Sequence, residues 1–180
     1  MASDSKIGWT DATWPVTAGC REWSPGCLNC YARFDANRMG SNPNEKVRRR
    51  YAGLVVVKND ELRWNGVVRE LPDVIDLPLR WARTRRVFVN SLSDLFQLGV
   101  SFEHIAAAYG VMAMAGWHTY QVLTKRPNRM AEFYRWVEAQ ARGREVAFCV
   151  EHAMRTIKAF VEDEAAFRRA QRHGVSPDAE

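Results

Sequence analysis

The sequence predicts an α/β fold: a partial (β/α) barrel of about four parallel strands with covering helices. Beyond about residue 85, predicted strands and helices alternate, and the strands are continuous apolar runs, as expected for parallel strands covered on both faces. A complete eight-fold barrel needs at least about 200 residues, whereas the chain has 180. We expect one domain over residues 1–172 and a flexible tail over residues 173–180.

The first half of the chain predicts two strands and one helix. TWPVTAGC (13–20) is β-branched and aromatic before a glycine, which favours a strand that ends at the first cysteine. CLNCYARFDANRM (27–39) contains no helix breaker and is followed by glycine, so a helix is expected there. LVVVK (54–58) predicts a short strand between two loop-like segments, 40–46 and 59–66, which are rich in polar residues and glycine.

The second half supplies the alternating pattern. Strands are expected at RRVFVNSL (85–92), HTYQVLTK (118–125) and REVAFCVE (144–151). Ser101 is a suitable helix cap, and Pro127 suits the first position of a helix because its missing N–H costs nothing there. The remainder of the chain, to about residue 172, predicts a charged amphipathic helix.

Composition excludes several classes of protein. The chain is 47% hydrophobic and 26% charged, which rules out a disordered or collagen-like polypeptide. No apolar run approaches the roughly 18 residues of a membrane-spanning helix, and the N-terminus has no apolar stretch typical of a signal peptide. We therefore expect a cytoplasmic protein that does not enter membranes.

The charge is mildly basic, with 26 Lys and Arg against 21 Asp and Glu. The densest basic stretches are KVRRR (46–50) and RWARTRR (80–86). Such stretches are candidates for contact with nucleic acid. A solvated basic surface is the alternative, because no nucleic-acid-binding motif accompanies them.

Three of the four cysteines lie within eleven residues, with the spacing C-x6-C-x2-C at Cys20, Cys27 and Cys30. In a reducing compartment, clustered thiols are more often metal ligands than disulfides. Three thiolates suit a [4Fe–4S] cluster with one open iron. The alternatives are three unligated cysteines, or a zinc ion, for which the possible fourth ligands are His118, His152 and Cys149.

The cysteines follow a predicted strand and precede a predicted helix, and ligand sites of parallel folds lie at the carboxyl ends of strands. Polar residues at two further strand ends join them as candidates for cofactor binding, as does the tyrosine after the last cysteine: Tyr31, Asn90, Ser91, Ser93, Asp94, Lys125 and Arg126. The alternatives are a helix-capping loop at 91–96, a solvent-facing pair at 125–126, and a tyrosine that only begins the helix core.

The sequence resembles the phage-associated family of three-cysteine-motif, radical-SAM-like proteins. Three segments carry the resemblance: KIGWTDATW through GCREWSPGCLNCYA (6–32), VFVNSLSDLF (87–96) and YQVLTKRP (120–127). With the intervening order they cover about residues 6–138. Membership in a phage-associated family would place the protein in the host cytoplasm.

The resemblance implies that Cys20, Cys27 and Cys30 hold a [4Fe–4S] cluster. In radical-SAM enzymes the open iron binds S-adenosylmethionine, and reduction cleaves the sulfonium to give a 5′-deoxyadenosyl radical that abstracts hydrogen from a substrate. The protein would hold cluster, cofactor and substrate in line and exclude water. The basic charge favours a substrate related to nucleic acid.

The sequence departs from the family pattern at two places. Members usually read Asn-Pro after the Trp of the first segment, whereas Trp14 is followed directly by Pro15. Members also continue into a second half with a Gly-Gly-Glu-type strand end that helps to hold the cofactor, and no such segment is present here. We therefore expect a truncated or split version that needs a partner polypeptide to complete the barrel and the active site.

Overall fold

The computed structural model describes residue 5 and residues 7–173, and the described strands and helices alternate only in part. The strands are β1 (Ala12–Trp14), β2 (Thr17–Ala18), β3 (Val55–Lys58), β4 (Glu61–Trp64), β5 (Arg69–Glu70), β6 (Arg86–Val89) and β7 (Thr119–Val122). The helices are α1 (Ala32–Gly40), α2 (Glu45–Tyr51), α3 (Phe102–Met114), α4 (Pro127–Ala141), α5 (Glu145–Phe160) and α6 (Glu164–His173).

The central sheet has three parallel strands in the order β1-β6-β7. Val87 of β6 pairs with Ala12 of β1 and with Tyr120 of β7. The other sheets, β2-β5 and β3-β4, are antiparallel pairs. The prediction of a partial barrel with about four parallel strands is therefore wrong. Within the described residues the parallel sheet has three strands and does not close into a barrel, and two small antiparallel sheets accompany it.

The predicted strand at 144–151 is the start of helix α5. Its buried residues, Cys149, Val150, Ala153 and Ile157, recur at helical spacing, while Val146 is exposed. The apolar run AFCV is too short to distinguish a strand from a buried helix segment by itself. The periodicity becomes visible only when the pattern is followed to residue 157.

The first predicted strand and helix are each shorter than expected. Pro15 has no N–H to donate to a strand ladder, and the segment 13–20 divides into β1 and the antiparallel strand β2. Residues 25–27 form a 3-10 turn, so α1 begins at Ala32 rather than at Cys27. The predicted loops also contain structure, because α2 begins at Glu45 and β4 occupies 61–64.

The larger core lies between the sheet and helices α3 to α5. Fully buried side chains from each layer meet there, including Trp14, Val89, Ile105 and Phe133. The predicted starts of α3 and α4 are confirmed: Ser101 accepts a hydrogen bond from the N–H of His104, and Pro127 is the first residue of α4. This half of the molecule forms a rigid support for the loops at the strand ends.

A smaller core lies under α1, α2 and the β3-β4 hairpin, and the partly buried Cys20 and Cys30 pack against it. The last helix extends to His173, the first residue of the predicted tail, and residues 174–180 lie outside the described part of the chain. Among the described residues, no helix has both the length and the apolar character needed to cross a membrane.

Candidate functional site

A cavity of about 350 Å³ lies at the carboxyl ends of β6 and β7. Its wall includes the cysteine loop and the segments that follow these two strands. The structure brings all ten of the residues that the sequence singled out to this one cavity: Cys20, Cys27, Cys30, Tyr31, Asn90, Ser91, Ser93, Asp94, Lys125 and Arg126.

The cysteine loop starts where β2 ends. Gly19 adopts a positive φ of 87° and forms an isolated parallel bridge with Ser93. A side chain at Gly19 would place its Cβ 2.1 Å from the carbonyl oxygen of Val67, so only glycine fits there. This close approach directs the chain into the cavity wall immediately before Cys20.

Three long-range hydrogen bonds fasten the loop to the strand ends. The guanidinium of Arg126 donates to the carbonyl of Arg21 at 2.7 Å, and Lys125 Nζ donates to the carbonyl of Gly26 at 2.8 Å. Beyond the last cysteine, the hydroxyl of Tyr31 donates to the carbonyl of Ser91 at 2.7 Å. Residues after β6 and β7 therefore fix the position of the cysteine loop.

The thiols of Cys20 and Cys27 have different electrostatic surroundings. Burial raises the pKa of Cys20 to about 11, although the charge of Arg126 opposes that shift. Burial also raises the pKa of Cys27, but hydrogen bonds from the backbone, including the N–H of Trp23, and the charge of Lys125 outweigh it, so this pKa lies below its ordinary value. Cys27 is therefore the more easily ionised of the two, and the thiolate is the form that binds metals.

Asp94 is the centre of the polar network behind the cavity wall. Its buried carboxylate accepts hydrogen bonds from Thr124 Oγ1 at 2.8 Å, from the N–H of Lys125 at 3.0 Å and from the N–H of Phe96 at 2.9 Å. It also lies 3.3 Å from Nη1 of Arg126. Hydrogen bonds of this kind to an ionised group are stronger than neutral ones, so Asp94 joins the segment after β6 to the segment after β7.

Asn90 holds the segment after β6 against the chain between β1 and β2. It has a left-handed backbone conformation, with φ of 60°, which Asn tolerates better than most residues. Its Oδ1 accepts hydrogen bonds from the N–H groups of Val16 and Thr17, at 2.9 and 3.1 Å. These contacts replace the ladder that Pro15 interrupts.

Two buried donors at the cavity have no protein acceptor in the described structure: Nδ2 of Asn90 and Nε of Arg126. Asn90 is 2% exposed and Arg126 is 6% exposed. Leaving such groups unpaired in the interior is costly. Both donors belong to residues that line the cavity.

The burial of Arg126 and the position of the α3 N-cap exclude two of the alternatives that the sequence left open, the solvent-facing pair and the helix-capping loop. Arg126 is not part of a solvent-facing pair, whereas Lys125 is exposed along its chain and reaches Gly26 with its amino group. The loop at 91–96 does not cap the next helix, because Ser101 is the N-cap of α3.

The sequence reasoning did not find seven further residues of the cavity wall. Thr124 follows β7 directly beside the predicted pair, so its strand-end position was a usable signal. Glu22 lies inside the cysteine loop, and Trp64 comes from β4, which the sequence predicted as a loop. The complete set of additional residues is Glu22, Ala32, Trp64, Phe88, Leu92, Leu123 and Thr124.

The three residues considered as a fourth zinc ligand lie elsewhere. The ring of His118 binds the N–H of Arg85 and the carbonyl of Pro78. His152 binds the carbonyl of Phe148 within α5, and Cys149 is buried between α5 and α3. None of the three lines the cavity.

Among residue 5 and residues 7–173, no group of three or more His, Cys, Asp or Glu side chains is arranged to hold a single metal ion. A zinc site requires its sulfur ligands to converge within about 2.3 Å of one point. The three thiols border one cavity without meeting that requirement. A [4Fe–4S] cluster takes each cysteine on a different iron, so its sulfur ligands stand around a larger object than a single ion, and the three cysteines do line one cavity.

The sequence pattern of a family described as "Protein of unknown function (DUF5131)" matches residues 4–171. No curated protein and no solved structure matches the chain.

Proposed function

The chain belongs to the DUF5131 family, and we propose that it is a radical-SAM-like iron–sulfur protein that binds a [4Fe–4S] cluster through Cys20, Cys27 and Cys30. One observation carries the proposal: the three thiols and the polar ends of two parallel strands border the same cavity. The cavity offers three soft ligands, which leaves one iron of such a cluster open to a second molecule.

The cavity also suits a small molecule with a carboxylate beside the cluster. Asn90 Nδ2 and Arg126 Nε are buried donors without a protein acceptor, and Lys125 places its amino group 3.9 Å from the sulfur of Cys27. Donors of this kind bind carboxylates well. We therefore propose S-adenosylmethionine as the second molecule, with these residues as its contacts.

With both groups bound, a cluster reduced by an external one-electron donor would supply the electron that cleaves the sulfonium. The chain's own residues perform the positioning. Asp94 fixes the segment after β7, Lys125 and Arg126 fix the cysteine loop, and Tyr31 fixes the first turn of α1. Ser93 accompanies Asn90 at the same strand end, where its hydroxyl donates to the carbonyl of Thr17 at 2.9 Å.

The proposal includes a partner polypeptide. Within the described residues, β7 pairs with β6 on one side only, and Leu123 beside the cavity is 59% exposed. An unpaired strand edge accepts a further strand readily. A partner at this edge would supply cofactor contacts that the present cavity lacks.

Anaerobic reconstitution with iron and sulfide tests the cluster. We expect a brown protein with about four irons per chain and a reduced form with an electron paramagnetic resonance signal. Cys27→Ser should lose most of the iron. Cys149→Ser is the matched control, because Cys149 is also buried but lies at the α3–α5 contact, and it should keep the iron.

A colourless product would overturn the cluster. One zinc per chain and no iron, in protein purified without air, would also overturn it and would favour a zinc-stabilised module that binds nucleic acid without catalysis. The enzymatic part has a separate test. Reduced protein, alone or with the product of a neighbouring gene, should convert S-adenosylmethionine to 5′-deoxyadenosine, and the absence of this product would remove the cofactor from the proposal.

A further inference from the structure

The excess positive charge of the protein is concentrated in residues 38–69, a segment named here the basic excursion. Residues 38–69 contain eight Lys and Arg and three Asp and Glu, a net charge of +5, while the rest of the chain contains 18 of each sign. The whole formal net charge of +5 therefore belongs to this excursion. It comprises the end of α1, helix α2 and the β3-β4 hairpin.

The excursion displays its cations to solvent. Lys46, Arg48 and Arg49 are exposed on α2, and Lys58 is exposed at the end of β3. Arg49 is paired with Glu45 one turn earlier, but surface pairs of this kind contribute little and are easily replaced. A surface with this excess of cations attracts polyanions.

The basic excursion is fixed to the wall of the cavity. Trp64, at the end of β4, lines the cavity, and the neighbouring Arg63 lies 3.3 Å from Glu22 in the cysteine loop. On the other side, Arg69 donates to the carbonyls of Ala52 and Arg50 at 2.9 and 3.0 Å, which holds the end of α2. The end of β4 therefore joins the basic excursion to the cavity wall, and Arg69 joins it to the end of α2.

Exposed aromatic rings lie in and next to the cysteine loop. Trp23 in the cysteine loop is 62% exposed, Tyr31 at the cavity wall is 52% exposed, and Phe34 on α1 is 56% exposed. The guanidinium of Arg126 lies 5.8 Å from the ring of Trp23. Aromatic rings beside a basic groove are typical of single-strand binding, because unpaired bases stack on them while cations hold the phosphates.

We infer that α2 and the β3-β4 hairpin bind the phosphates of a single-stranded nucleic acid, and that Trp23 and Tyr31 stack its unpaired bases at the mouth of the cavity. The substrate class is then a nucleotide within a strand, and this last step rests on the proposed function. A duplex fits less well, because its base faces are covered by stacking. An acidic protein or an anionic membrane would use the cations but not the rings.

Fluorescence anisotropy with labelled DNA of about 16 nucleotides, single-stranded or duplex, tests the surface. We expect the single strand to bind at least about 10-fold more tightly than the duplex at low salt, and to weaken steeply as salt rises. The triple variant Lys46→Ala/Arg48→Ala/Arg49→Ala should lower the salt slope by about 2, since each lost phosphate contact to a single strand contributes about 0.7.

The matched control is Arg135→Ala/Lys158→Ala/Arg168→Ala, which removes the same number of exposed cations from α4, α5 and α6. It should leave the salt slope nearly unchanged. Trp23→Ala should weaken single-strand binding about 10-fold without changing the slope, whereas Phe160→Ala, at a ring of similar exposure on α5, should have no effect.

Equal losses in the two triple variants would overturn the inference, as would tighter binding of the duplex or selective binding to anionic vesicles. Iron content is measured on the same preparations, so the two proposals fail separately. Strand binding without iron overturns the proposed cluster alone, and a full complement of iron without strand binding overturns this inference alone.

Discussion

The helical support and the cysteine loop are held together by different interactions. Between α3 and α5 the contact is close and apolar, with Gly110 of α3 against the backbone of Cys149. At the cysteine loop, polar side chains such as Asp94 and Lys125 bind backbone groups across the cavity wall. The first region provides stability, and the second positions ligands while leaving polar groups and aromatic rings accessible.

The largest expected effect on stability is at the helix contact. An alanine at residue 110 would place its Cβ 2.0 Å from the carbonyl oxygen of Cys149 and 2.9 Å from the Cβ of Ala153. Backbone must move to relieve this overlap, so Gly110→Ala should lower the free energy of unfolding by about 3 kcal/mol. Urea unfolding followed by circular dichroism measures it.

Gly116→Ala is the control, because the added Cβ would meet only the carbonyl oxygen of Ala113, at 3.4 Å. Its effect should stay within about 0.5 kcal/mol. If the two alanine variants were equally stable, the close contact between α3 and α5 would be contradicted, and with it the role of the helical support in stability.

At Asp94, a smaller loss of stability should accompany a large loss of iron binding. Asp94→Ala leaves Arg126 and two backbone N–H groups without their buried acceptor. We expect about 2 kcal/mol of destabilisation together with loss of most of the reconstituted iron, because the cysteine loop is no longer fixed.

Asp73→Ala tests whether any lost carboxylate has that effect. Asp73 is paired with Arg50 at the surface, at 2.5 Å, and the change should cost less than about 1 kcal/mol and leave the iron unchanged. Retention of iron by the folded Asp94 variant would contradict the positioning role of this carboxylate.

The sequence predicted the central strands and the helices that start at clear signals. β6 contains the continuous apolar run VFV (87–89), and α3 and α4 begin at a capping serine and a proline. The candidate site residues that follow the strands could also be predicted, because parallel strands bring their carboxyl ends to one edge of the sheet. Residues as distant in sequence as Cys27 and Lys125 are therefore predictable neighbours, and both line the cavity.

The remaining elements could not be predicted because their patterns are local and ambiguous. AFCV fits either a strand or a helix, and its neighbour α3 decides, since Cys149 is buried against Gly110. The turn of the β3-β4 hairpin is formed by Asn59 and Asp60, both with positive φ. These two residues lie in the segment 59–66, whose polar composition predicts a loop rather than a hairpin. Trp64 reaches the cavity only through that hairpin.

The smallest effect is expected at the opposite end of the sheet, where the amino ends of β1 and β6 meet. A side-chain hydrogen bond from Arg86, and then one from its backbone N–H, lower the pKa of Asp11 to about 2 from an ordinary value of 3.8. A lowered pKa in the folded state favours folding when the carboxyl is ionised, so this contribution is complete above pH 3.8 and is lost as the pH falls toward 2.

Titration of the Asp11 carboxyl by nuclear magnetic resonance measures this pKa directly. In Arg86→Met it should rise toward 3.8 but stay below it, because the backbone N–H of residue 86 still donates to Asp11 at 2.8 Å. Arg83→Met, at an exposed arginine nearby, should leave the pKa near 2. Iron content should be unchanged in both variants, since neither residue lines the cavity; a loss of iron in Arg86→Met alone would mean that the two ends of the sheet are coupled.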